Sequence, residues 1–169
     1  MGGKVIGTSF NHGFAGSYAR QPDMVVATRP SAETANPIVF GAVLEADGNG
    51  VKNATAALTA ATFAGIAARE VKSAWNYADQ NSGGAYLPKE PVSVFQRGSI
   101  AVLCANGSPV LGGNVYVATE DNAWAGAKIG QLSAVEVTSK TVKLPNCQWG
   151  GAADSSKVAE LVLLTRSHA

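Results

Sequence analysis

Two histidines and two cysteines are present in this 169-residue chain, and most reactive chemistry at neutral pH depends on such groups. His12 lies near the start and His168 one residue from the end. A Ser-His-Asp triad would have to recruit one of them, and the G-x-S-x-G elbow is missing. A transition-metal site needs several histidines and a carboxylate held by core strands, and neither histidine falls in a segment that reads as core. Cys104 and Cys147 are far apart and have no histidine close in sequence. They read as two buried free thiols.

The carboxylates are equally uninviting. A glycosidase needs two of them a few ångströms apart. Asp47, Asp79, Glu90, Asp121 and Asp154 instead sit at apparent turns or strand ends, where a carboxylate is normally solvated. Asp47-Gly48-Asn49-Gly50 hints at a calcium loop but lacks the regular ligand spacing and the closing Glu. Neither Gly-rich phosphate motif occurs. The residues therefore point to no catalytic centre, no metal and no cofactor. Trp75, Trp124 and Trp149 lie in or beside predicted loops. Loop indoles can stack on sugars, so a carbohydrate-binding β module is the alternative function. The plainer reading is that they anchor loops or subunit contacts, where Trp is enriched.

Composition points to contact rather than catalysis. Charged residues make up 15% and hydrophobic residues 46%, against about 25% charged in an average soluble protein. A surface this poor in charge suits being covered by another surface. The formal net charge is +1 and the basic residues are scattered, which argues against nucleic acid or an anionic membrane as partner. No apolar run approaches the roughly 20 residues of a membrane span. No secretion signal is expected, and Ile6 stands where a myristoylation motif requires Ser or Thr. Two glycosylation-like triplets, at Asn53 and Asn106, are expected to be chance matches.

Nineteen glycines and seven prolines divide the chain into apolar runs of strand length, the rhythm of a mostly β domain. Residues 1–37 read as an extended arm. Its isolated Phe10, Phe14 and Tyr18 suit a strap lying along another surface, with strand character only at Met24 to Thr28; the alternative is a segment wrapped on its own domain. The β domain spans 38–169. IVFGAVLEA reads as a strand and Asp47-Gly48-Asn49-Gly50 as a turn. Nine alanines between Ala54 and Ala74 favour helix by propensity, while Phe63 to Val71 fits a strand as well. Residues 75–90 look like an exposed loop. Strands are expected at Val92–Arg97 and Ile100–Cys104, with Gly98 bending one long strand so that it pairs with two neighbours at a barrel corner. VYVAT, Ile129–Val137, Val142–Leu144 and Val158–Thr165 complete a sandwich or barrel of about eight short strands.

The phrases SFNHGFAGSYARQPD, FAGIAAREVKSA, GGAYLPKEPVSVFQRGSIAVLC, GGNVYVA, VKLPNCQW and VAELVLLTR, in this order, resemble the head decoration, or structural cement, proteins of tailed bacteriophages. The resemblance covers nearly the whole chain and brings no catalytic motif. It implies an all-β domain, a small barrel or sandwich of β-tulip-like form, with an N-terminal arm, and it tilts Phe63 to Val71 toward strand. It also implies a virion protein, made in the host cytoplasm and placed on the outer surface of the capsid. There it would clamp neighbouring major capsid subunits, commonly as a homotrimer. The contact residues expected on that reading are Phe10, Phe14, Tyr18, Arg20 and Arg29 of the arm, with Trp75 and Trp124. Aromatics would fill pockets, and arginines would pair with capsid carboxylates.

Overall fold

The computed structural model describes residues 12–70 and 84–164. Among these residues there are eleven strands and no helix. In chain order they are β1 (Tyr18–Pro30), β2 (Ile38–Val39), β3 (Val43–Asp47), β4 (Gly50–Asn53), β5 (Phe63–Ala67), β6 (Ala85–Tyr86), β7 (Pro91–Asn106), β8 (Asn114–Ala118), β9 (Leu132–Ser133), β10 (Thr141–Trp149) and β11 (Val158–Leu163).

The sixteen-residue β7 organises everything else. Its second half closes a five-stranded barrel: β7 pairs with β11, β11 with β10, β10 with β8, β8 with β9, and β9 returns to β7. Only the β7–β9 pair is parallel. Its first half belongs to an open sheet with β5, β3 and β4 on one side and β1 on the other. Phe95, Ile100, Val102 and Cys104 pack into the barrel core, together with Leu144, Trp149 and Leu161. Val92 and Val94 turn to a second apolar cluster with Ile38, Phe40, Leu44 and Tyr86. Because β7 is covered on both faces, even Ser93 and Gln96 in its alternating stretch are buried.

The handover between the two halves occurs at Gly98, as the sequence led us to expect. One edge of β7 pairs with β5 at Val94 and Phe95, then with β11 from Gly98 to Leu103. Gly98 has φ +107, and a Cβ there would lie 2.4 Å from the Asp23 carbonyl oxygen. Such backbone is open to glycine and strained for other residues. The Asp23 carbonyl approaches so closely because β1 bulges here. Arg20 pairs with Ser99 and Val25 with Arg97, so five steps along β1 match two along β7.

The segment expected as an arm therefore contains a strand. Tyr18–Pro30 pairs antiparallel with β7 of its own domain. The bulge between Arg20 and Val25 breaks the period-two alternation, which hid the strand from a pattern reading everywhere except Met24 to Thr28. Three further elements differ from expectation. IVFGAVLEA is two strands, split by a turn at Phe40–Gly41. Of Ile129–Val137 only Leu132–Ser133 is strand. The loop expected at 75–90 contains β6, whose Tyr86 is fully buried. The alanine-rich piece resolves as turns over 56–62 followed by β5, so the strand alternative holds for Phe63–Ala67. Propensity gives way here because Gly65 lies against β7, its Cβ position 2.4 Å from the Phe95 carbonyl oxygen. Only an extended chain fits so close to a neighbouring strand.

Candidate contact surface

The described chain starts with an anchored approach to β1. The His12 backbone N–H donates to the Asp154 carboxylate at 2.9 Å, and its ring Nε2 lies 3.2 Å from the Ala152 carbonyl oxygen. The Gly16 N–H donates to Ala101 at 2.8 Å, and the Gly16 carbonyl accepts from the Arg69 N–H at 2.7 Å. A Cβ on Gly16 would fall about 3.0 Å from three backbone atoms, so glycine permits this close seat.

Phe14 is half-exposed, at 50%. The Arg69 guanidinium carbon lies 4.6 Å from the Phe14 ring centroid and 5.7 Å from that of Phe40. A guanidinium between two rings is held by cation–π attraction, and Arg69 Nη1 is buried without a hydrogen-bond acceptor. Phe40 in turn meets Tyr86 edge-on at 5.2 Å. Around this stack the β2–β6 ribbon offers apolar side chains to solvent. Ile38 and Tyr86 pair directly and are both buried, while Val39 pairs with Ala85 on the opposite face. By alternation Leu87 shares that face. Val39 and Leu87 are more than half exposed. Sequence reasoning passed over both, because two-residue strands are too short to reveal a period.

Tyr18 is partly buried and packs on Phe95, with ring centroids 5.8 Å apart. Burial, then the neighbouring Glu70 carboxylate, pushes its hydroxyl pKa upward. Glu70 also bonds the Ser93 hydroxyl. Arg20 spans 140 residues of sequence to reach Glu160, with Nε at 2.6 Å and Nη2 at 3.1 Å from the two carboxylate oxygens. Glu160 is buried and Arg20 largely exposed. The Arg20 bond holds the Glu160 carboxyl below the usual carboxylate range, and this outweighs the opposing effect of burial.

Arg29 is exposed near the end of β1 and makes no ion pair with a described residue. Trp124 is half-buried against Ala118, Ala123 and Ala127. Its loop is closed by Asn122 N–H to Ala127 and Ala127 N–H to Trp124 bonds, each 2.9 Å. Trp149, expected beside a loop, ends β10 and is buried in the barrel core. Phe10 and Trp75 lie outside the described residues. Phe14 and Tyr18 flank one anchored turn, while Arg20, Arg29 and Trp124 stand at separate points of the fold. Among the described residues the most exposed large apolar side chain is Leu111, 82% accessible, beside Val110 in the β7–β8 loop. Among the described residues no group of three or more His, Cys, Asp or Glu gathers where a metal ion could sit.

The described residues thus combine half-exposed aromatics on a β frame, apolar loop tips and a cation, Arg29, that pairs with no described carboxylate. In the capsid of Myoviridae phage XM1 a chain of similar fold superposes with a TM-score of 0.71, covering 96% of this chain and 97% of that one at 17% identity. No curated protein matches. A family model described as structural cement protein (E217 gp24/Pam3 gp6) matches residues 3–164. The chain belongs to this family of phage structural cement proteins.

Proposed function

We propose that the protein binds the outer surface of an assembled phage head and clamps neighbouring major capsid subunits against the pressure of packaged DNA. The observation that carries this reading is the family match over residues 3–164. The low charge of the chain and its exposed Phe14, Val39, Leu87 and Leu111 support it, since stable protein contacts deplete charge at their centres. A ligand that binds only the assembled shell stabilises it by mass action. Several weak contacts made together through a trimer would multiply that effect. Phe10, Phe14, Tyr18, Arg20, Arg29, Trp75 and Trp124 would act as contacts.

The test is co-sedimentation with heads assembled without this protein. Wild-type chain should bind saturably and raise the temperature at which the heads release DNA. Absence of binding, or binding with no change in release, overturns the reading. The contribution of the N-terminal residues is tested by deleting 1–11 alone. Removing 1–29 would also take away most of β1 and expose the edge of β7. Light scattering of the free protein should give about three times 17.2 kDa if the trimer forms before docking; a monomer refutes pre-assembly.

A further inference from the structure

The open sheet leaves an unfilled space at one edge. β4 is its last strand, and the end of β1 returns to meet it. Ser31 bridges Val51, and the Ala32 N–H donates to the Val51 carbonyl at 2.8 Å. The strands β1, β7, β5, β3 and β4 thereby bend into an incomplete ring. Gly50 makes the approach possible, since a Cβ there would lie 2.7 Å from the Pro30 carbonyl oxygen.

Each of these five strands contributes to one open cavity of about 310 Å³. Arg29 comes from β1, Gln96 from β7, Phe63 and Ala64 from β5, Ala46 from β3 and Val51 from β4. The hairpin turn over 48–50 and Ala61 complete the wall. The space exists because most of these side chains are small. It has the volume of a small ligand pocket, and its wall mixes the polar groups of Arg29, Asn49 and Gln96 and turn backbone with the apolar side chains of Val51, Phe63 and three alanines.

The charge around it is one-sided. The lining includes one cation, Arg29, and no carboxylate. Neighbouring charges are already matched: Lys52 pairs with Asp47 at 3.2 Å and Arg97 with Asp23 at 3.2 Å. Arg29 pairs with no described carboxylate. A guanidinium in the wall of an open recess that holds no carboxylate is complementary to a carboxylate entering from a partner, which it can hold with two parallel bonds.

We propose that this recess is the socket for an acidic side chain, Asp or Glu, at the tip of a loop of the major capsid subunit. Phe63, Val51 and the alanines receive the stem, and Arg29 receives the carboxylate. This inference rests on the capsid-binding reading above and assigns it a place and a chemistry. A socket on β1 also gives that strand a part in binding separate from any arm that precedes it.

The experiment measures affinity for heads assembled without this protein, using wild-type chain, R29E, A61F and, as a charge control, K128E. Arg29, Ala61 and Lys128 are exposed, so each variant should unfold at the wild-type temperature; if one fails to fold, the others still carry the test. R29E, which opposes two negative charges, and A61F, which fills the recess, should each weaken binding by roughly tenfold or more. K128E should bind like wild type. Wild-type binding with R29E and A61F both within twofold overturns the socket and leaves the capsid-binding reading standing. Equal losses in R29E and K128E also overturn it, because they indicate a diffuse charge effect. Failure of the wild-type chain to bind overturns the capsid-binding reading itself.

Discussion

Arg20 on β1 grips Glu160 on β11 with two of its nitrogens, at 2.6 and 3.1 Å, although the two strands never pair with each other. Both pair with β7, one on each edge: Arg20 with Ser99, and Glu160 with Ala101. The ion pair therefore crosses the strand that joins barrel to open sheet, and fastens the start of β1 to the barrel.

The pair makes stability depend on acid. Glu160 has a folded-state pKa below its ordinary 4.5, because Arg20 bonds the ionised form. A group depressed in this way contributes stability that is fully present above its unfolded pKa and lost as pH falls through the folded one. The unfolding temperature should accordingly decline from about pH 4.5 downward, and E160Q should show a shallower decline over that range. Thermal melts between pH 7 and pH 3 check this; parallel curves for the two proteins would contradict it.

Gly98 carries the bend of β7. G98A puts a methyl group 2.4 Å from the Asp23 carbonyl oxygen at φ +107. The bulge in β1 would have to move away. Backbone strain and the displaced strand together should cost about 2–4 kcal/mol. For a chain of this length that lowers the unfolding midpoint by roughly 4–16 °C. A loss below about 0.5 kcal/mol in urea titration would mean that β1 adjusts freely and that the bend does not depend on glycine.

The same glycine shows what the sequence could and could not reveal. A glycine between two apolar runs that only one or two residues separate has few physical readings, so the bend and its two neighbours were legible. The Asp47–Gly50 turn was legible for a similar reason, and it joins β3 to β4. Elements held by remote partners were not. β9 is two residues long and exists because it lies between β7 and β8; nothing in Ile129–Val137 marks where that pairing ends. β1 was hidden because its bulge shifts which side chains face inward.

The contact residues follow the same logic. Phe14 and Tyr18 were singled out because they are isolated aromatics, and the structure adds the partners that fix them, Arg69 and Phe95. No local signal in Arg20 announces Glu160, 140 residues away. The recess beside Arg29 was equally invisible, since it arises from small residues on five strands that meet only after folding.

Trp149 is 1% exposed, and its indole Nε1 is buried with no acceptor. An unsatisfied buried donor costs about 1–3 kcal/mol. W149F removes that donor while keeping most of the ring, so the relief offsets much of the lost packing and stability should change by less than about 1.5 kcal/mol. W149A leaves a cavity and should lose about 3–5 kcal/mol. Urea unfolding of both variants checks the pair. A large loss in W149F would mean that Nε1 has an acceptor in solution, an ordered water being the simplest.

Cys104 and Cys147 are buried free thiols, and burial pushes the Cys147 pKa up to about 12. Burial also raises that of Cys104, outweighing the opposing bonds from Asn106 and Ala134 backbone groups. The thiolate is the reactive species, so at pH 8 the native protein should label very slowly with a maleimide. Unfolded protein should label at both positions at the rate of a free thiol. Labelling of the native chain then reports opening of the barrel. G98A, which loosens the junction beside the barrel, should speed it at both cysteines together. Rapid labelling of native wild-type protein at Cys147 would show that the end of β10 opens without the rest of the barrel, against the close packing of Cys147 in its core.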